Sequence, residues 1–146
     1  RSPLECGSFI VSSAYPDKAL WGSSFLARLS GSTAEFLSIW LLVFAGPAPF
    51  TLDDNGDVCL ALRPAIPAAF FRKDGTASFR FLGGVQITYI NKAKKDTWKL
   101  KIAEIKIYTF LNNKGANVTV KGPILNSRDA RSVRDLKVEA IEAILE

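Results

Sequence analysis

Arg28, Ser30, Gly31, Ser32 and Thr33 stand together in the segment RLSGSTAEFLSIW (residues 28–40), where a polar, small-residue turn runs directly into an apolar helical pattern. The opening turn of a helix carries backbone N–H groups with no intrahelical acceptor. A glycine there lets an anion approach the main chain, and hydroxyls with a guanidinium complete a phosphate cradle. The same residue types also suit a well-capped helix in which Ser, Gly and Thr allow close packing. Residue types alone leave both readings open.

Glu35, Asp53, Asp54 and Asp57 are the carboxylates nearest this segment, and paired carboxylates are the machinery of glycoside chemistry. Each has a plainer role. Glu35 falls in the first helical turn, where a negative charge favours the macrodipole, and Asp53-Asp54-Asn55-Gly56-Asp57 is turn composition. The chain contains no histidine, which excludes Ser-His-Asp and Cys-His catalysis and imidazole metal sites. Cys6 and Cys59 are its two cysteines, too few soft ligands for a structural zinc site. They read as buried free thiols, or as a disulfide if the protein is secreted; the sequon Asn117-Val118-Thr119 is a weak pointer to secretion. No cofactor is expected.

These residues need elements to hold them. At 146 residues and 48% hydrophobic content, the chain has the size and apolar material of one globular domain. It begins with Arg1 and contains no methionine, so the natural start of a translated chain is expected to be missing or removed, as in a truncation, a processed chain or an excised domain. The net charge of +5 raises the question of an anionic partner. Its densest cluster, Lys92, Lys94, Lys95, Lys99 and Lys101, is interleaved with Asp96 and Trp98 and reads as a solvated face, with no nucleic-acid partner expected. The most apolar run, FLSIWLLVFA (residues 36–45), is too short to span a membrane and is not placed as a signal peptide. It predicts a helix buried on most sides, beginning near residues 31–33 with Ser30 or Ser32 as N-cap and ending at Gly46-Pro47.

Beyond Phe50 the period changes from helix to strand. Val58, Leu60 and Leu62 alternate before Pro64 and Pro67 break the strand. Residues 78–82 and 85–90 flank Gly83-Gly84, a hairpin signal, and Asn112-Asn113-Lys114-Gly115 predicts a turn before residues 118–120. Short strands at close spacing predict a mainly β protein, an antiparallel jelly-roll-like β-sandwich with one N-terminal buried α-helix. In residues 127–146, Val133, Leu136, Ala140, Ile141 and Ile144 fit a helix face, while Leu136, Val138 and Ala140 alternate as a strand would. Local propensity slightly favours the helix.

The string LSGSTAEFL, a short linker, then LALRPAIP and FLGGVQITYIN, resembles the last barrel helix and C-terminal β-sandwich of inverting β-glucoside phosphorylases, the cellobiose phosphorylase and 1,2-β-oligoglucan phosphorylase-like enzymes. The resemblance implies that residues 1–46 are the remnant of a helical (α/α)6 barrel domain and residues 47–146 a C-terminal β-sandwich. It implies that Ser30 and Gly31 are the phosphate-contacting pair, with Ser32 following, which joins them to the cradle that the residue types of Arg28 and Ser32 suggest. It also implies a strand near residues 136–145, against the bare periodicity, and partners in the parent protein: inorganic phosphate, β-glucan and the missing N-terminal barrel domain. Family members use an upstream histidine for phosphate, which this chain lacks, and their general-acid aspartate lies earlier in the barrel. The chain alone is therefore expected to be inactive, because phosphorolysis needs an acid on the glycosidic oxygen while phosphate attacks the anomeric carbon.

Two expectations result. In one, the chain is the C-terminal part of a glycoside phosphorylase-like glycosyltransferase, with a cytoplasmic location implied by the resemblance. In the other it is a standalone, secreted β-sandwich binding carbohydrate or another partner, with Trp21, Trp98, Tyr89 and Tyr108 as stacking candidates whose commoner fate is core packing.

Overall fold

Alternation of apolar and polar residues in TASFRF and VQITYIN sends Ala77, Phe79 and Phe81, and then Val85, Ile87, Tyr89 and Asn91, to one buried face. These segments form the hairpin at the edge of the main sheet in the computed structural model, which describes residues 9–25, 30–110 and 118–146, and within them the side chains outside positions 9, 25 and 30–33. The chain divides into two compact units, Arg1–Ser38 and Ile39–Glu146.

In the first unit, β1 (Phe9–Ile10) pairs antiparallel with β2 (Ser24–Phe25). Between them, Asp17 accepts the Ala19 amide at 2.9 Å to cap a short 3-10 turn, and Trp21 Nε1 donates to Tyr15 O at 2.8 Å. Helix α1 (Ser30–Phe44) starts in this unit and ends in the second.

The second unit carries β3 (Phe50–Leu52), β4 (Val58–Ala61), β5 (Thr76–Phe81), β6 (Val85–Asn91), β7 (Ile102–Thr109), β8 (Val118–Lys121), β9 (Ile124–Leu125), helix α2 (Ser127–Arg134) and β10 (Val138–Leu145). They build a five-stranded sheet in the order β5-β6-β10-β7-β8 and a three-stranded sheet β3-β4-β9. The mainly β, sandwich-like class holds. Both sheets feed one core, with Leu60 and Leu125 from the small sheet and Phe79, Ile87, Ile105 and Ile141 from the large one. Phe50 stacks on Phe81 at 5.9 Å between the sheets.

The all-antiparallel expectation fails at one pair, because β10 runs parallel to β6 and antiparallel to β7. The cause is α2. Asn126 caps it by accepting the Asp129 amide at 3.2 Å, Arg131 and Arg134 sit in its last turn, and Ala130 and Val133 are buried. It carries the chain across before β10 enters the sheet centre. The tail is therefore helix and then strand, and of the proposed helical face only Val133 lies in α2. The strand implied near residues 136–145 forms over Val138–Leu145. A register shift between Val138 and Ala140 breaks its alternation, which is why its sequence mimics a helix period.

The helix predicted over residues 36–45 forms, but the expectation that it is buried on most sides is corrected. Leu37, Ile39, Leu41 and Leu42 are 62%, 57%, 37% and 47% exposed. Apolar side chains occupy its whole circumference, whereas one helix can lay only a stripe against a neighbour. Burial is confined to its end: Ala45 is fully buried and the Phe44 ring sits 5.0 Å from Phe79. The Ala45 and Gly46 amides both donate to Leu41 O, and Gly46 takes a left-handed φ of 96°, so the stop falls where the glycine predicted.

Candidate functional site

Ser30, Gly31 and Ser32 form the first turn of α1, while Arg28 and Cys6 lie outside the described residues, as do the turn at residues 112–115 and Asn117. Of the carboxylates, Asp53 accepts the Asn55 and Asp57 amides at 2.9 and 2.8 Å, folding the β3–β4 loop onto itself. Asp57 accepts Ser127 Oγ at 3.2 Å and Arg131 at 3.1 Å, tying that loop to α2. Those two aspartates are occupied with local architecture, and Glu35 and Asp54 are exposed. Cys59 is a half-buried free thiol. No group of three or more His, Cys, Asp or Glu gathers as metal ligands among the described residues, and no described helix is long and apolar enough to cross a membrane.

The stacking candidates separate by burial. Tyr89 is wholly buried, its hydroxyl donating to Phe44 O, and burial pushes its phenol far above the ordinary range. Tyr108 donates to Glu142 Oε2 at 2.8 Å; desolvation first, then that hydrogen bond, raises its phenol too. Trp21 spends its indole N–H on Tyr15 O. Trp98, at 58% exposed, keeps its indole face and N–H for solvent.

Trp98 borders a groove of about 860 Å³ in the second unit, lined by residues 62–65, 97–98, 100–103, 122–123 and 145–146. Strand pairing ends at Ala61; beyond it the Arg63 and Ala65 amides donate to Ala45 O and Val43 O at 2.9 and 2.8 Å, while Pro64, Ile66 and Ala68 bond to the turn that carries Trp98. Thr97, 3% exposed, donates to Pro64 O at 2.6 Å and accepts the Ile66 amide at 2.8 Å, while its own amide donates to Ile66 O at 3.1 Å. Asp96 accepts the Ala68 amide at 3.0 Å and pairs with Lys99 at 2.8 Å. The Lys99 contact, then the Ala68 amide, holds the Asp96 carboxyl below the usual carboxylate range. On the opposite wall, Lys101 and Glu146 exchange backbone hydrogen bonds of 2.7 and 2.9 Å.

Leu62, Ile102 and Leu145 give the groove an apolar floor, and Arg63, Lys101 and Glu146 are exposed at its rim. Concave apolar surface with a few convergent polar groups is the usual form of a ligand site. Sequence reasoning placed Trp98 among stacking candidates but not the groove, whose walls come from four distant segments. The available signal was the pairing of a proline-broken strand end with an aromatic in a polar turn.

No protein-family model, curated protein or solved structure matches this chain.

Proposed function

We propose that the chain is the C-terminal part of a carbohydrate-active, glycoside phosphorylase-like protein. Its β-sandwich has a structural role, α1 contributes a partial phosphate-binding turn through Ser30, Gly31 and Ser32, and the chain does not catalyse phosphorolysis by itself. The observation that carries this reading is the exposure of Leu37, Ile39, Leu41 and Leu42 on a helix that is apolar around its circumference. Such a helix is normally enclosed by other helices, and a helical barrel domain is the enclosure that the resemblance of LSGSTAEFL supplies. The test compares the intact natural gene product with this chain for phosphate uptake or release on β-glucans. A longer product that turns over sugar phosphate, beside an inactive chain, supports the reading; a natural product consisting of this chain alone overturns it.

Trp98 favours a second reading, a standalone carbohydrate-binding β-sandwich, because an indole 58% exposed beside a groove is a stacking surface for a sugar ring. Retention of the chain on insoluble glucan, lost in Trp98→Ala, supports that reading, and equal retention of both proteins counts against it.

A further inference from the structure

The groove beside Trp98 has charges that the fold does not use. Arg63 and Lys101 are both exposed at its rim, and neither has a carboxylate partner or a side-chain hydrogen bond among the described residues. Lys99, on the same turn as Trp98, is by contrast neutralised by Asp96 at 2.8 Å. The groove therefore joins one open indole face to two uncommitted cations over an apolar floor.

The supporting backbone is fixed before any ligand arrives. Thr97 bonds across to Pro64 and Ile66, which holds the turn bearing Trp98 against the strand end bearing Arg63. Lys101 is locked to Glu146 through two backbone hydrogen bonds. Aromatic and cationic groups on a pre-ordered frame lose little further entropy on binding.

A matching ligand has a flat face with apolar C–H groups for the indole, an anion for the two cations, and hydroxyls for the Glu146 carboxylate. A purely apolar ligand leaves the cations unused, and a neutral one leaves them desolvated without compensation. We propose that this groove binds an acidic saccharide, with a pyranose ring lying on Trp98 and its carboxylate or phosphate held by Arg63 and Lys101. The choice of a saccharide rests on the carbohydrate-active reading above. The anion is shared chemistry: a uronic acid unit and a sugar phosphate both supply it.

The test is a titration of the full 146-residue chain, following the Trp98 indole N–H by 15N NMR with the Trp21 indole N–H as internal reference. The probes are a tetragalacturonate, glucose 1-phosphate, a neutral β-glucan tetrasaccharide and inorganic phosphate. The expected result is a saturable shift of the Trp98 signal with one or both acidic saccharides, the responding probe identifying the anion source. Affinity should fall about tenfold or more in Arg63→Gln and in Lys101→Gln, as for loss of one charge-assisted hydrogen bond, and should weaken with added salt. Neutral glucan should bind more weakly by a similar factor. The proposal is overturned if neither acidic saccharide moves the Trp98 signal, if both charge variants bind as the parent does, or if neutral glucan or phosphate alone binds as tightly. Because the titration reads binding by this chain, its failure is separable from failure of the phosphorolysis assay on the longer gene product.

Discussion

The Tyr89 hydroxyl donates to the Phe44 carbonyl at 2.5 Å, fastening the last turn of α1 to a central strand of the large sheet. The Tyr89 ring also stacks with Phe79 at 6.0 Å, and Phe79 in turn meets Phe44 at 5.0 Å. The C-terminal end of α1 is thus fixed to the sandwich by this bond, by the Ala65 amide donating to Val43 O at 2.8 Å, and by an aromatic cluster.

Tyr89→Phe keeps the ring packing and removes the hydroxyl, leaving the Phe44 carbonyl without this donor. Loss of one buried hydrogen bond costs about 1 kcal/mol, more if the acceptor stays dry. Urea denaturation should show a lower midpoint at unchanged slope. An unchanged midpoint would mean that this bond does not stabilise the α1 end.

The same residue sets an alkaline limit. The folded phenol of Tyr89 is raised above the ordinary value of 10.0 by burial, and that of Tyr108 is raised in the same direction. A group whose folded pKa exceeds its unfolded value contributes stability that is complete below the unfolded value and is lost as pH rises beyond it. Stability should therefore fall from about pH 10 upward, and tyrosinate absorbance from Tyr89 should appear only together with unfolding. Tyr89→Phe should flatten this decline. Ionisation of all three tyrosines in a chain still folded by circular dichroism would contradict the burial argument.

Gly46 is required twice over. Its φ of 96° is unfavourable for any residue with a Cβ, and a Cβ built there would lie 2.9 Å from Arg63 Cβ and 3.0 Å from Arg63 O. The second contact is with backbone that donates to Ala45 O at 2.9 Å and cannot retreat without breaking that bond. Gly46→Ala should cost more than about 1 kcal/mol, the strain of the left-handed region alone. Gly56→Ala supplies the control, since its φ of 80° carries the same strain with open space around it. Equal thermal shifts for the two variants would show that the Arg63 contact is unimportant.

The hairpin between β5 and β6 offers a gain instead. Phe81 pairs with Val85, and the Gly84 amide donates to Phe81 O at 3.1 Å, so the turn centres on Leu82 and Gly83 with φ of 51° and 72°. Two left-handed central residues make a type I′ turn, for which Asn-Gly is the preferred pair. Leu82 is 47% exposed. Leu82→Asn should raise stability by about 0.5–1 kcal/mol by removing left-handed strain from a bulky residue, read as a higher melting temperature. A lower one would mean that the Leu82 side chain contributes packing that outweighs the strain.

Local rules in the sequence reached the elements whose stability is local. The Gly46 stop, the alternating strands around residues 76–91 and the helix at residues 36–44 were all legible, because each follows from backbone freedom or from period. The hairpin was legible one residue out of place: Gly83-Gly84 drew attention, while Leu82 occupies the first central position. The parallel β6–β10 pair was not legible, since it depends on where α2 returns the chain. Nor was the groove, because Leu62, Thr97, Gly122 and Glu146 meet only through tertiary packing. The exposure of α1 has a related cause. Hydrophobicity says that a face seeks cover, not that this chain supplies it.

Thr97 is the side chain on which the groove depends, although it offers nothing to a ligand. Its hydroxyl is fully engaged, donating to Pro64 O at 2.6 Å and accepting from Ile66 N at 2.8 Å, in a residue 3% exposed. Thr97→Val preserves shape and removes both bonds, leaving a carbonyl and an amide unsatisfied at roughly 1–3 kcal/mol for each group that stays buried. Thr97→Ser keeps the hydroxyl and loses only a methyl, about 1 kcal/mol. Urea midpoints should fall in the order parent, Ser, Val. Amide exchange at Ile66 should accelerate in the Val variant well beyond its acceleration in the Ser variant, because only the former removes the acceptor. If the two variants were equally destabilised, methyl packing rather than the hydroxyl bridge would hold the Trp98 turn to the strand end.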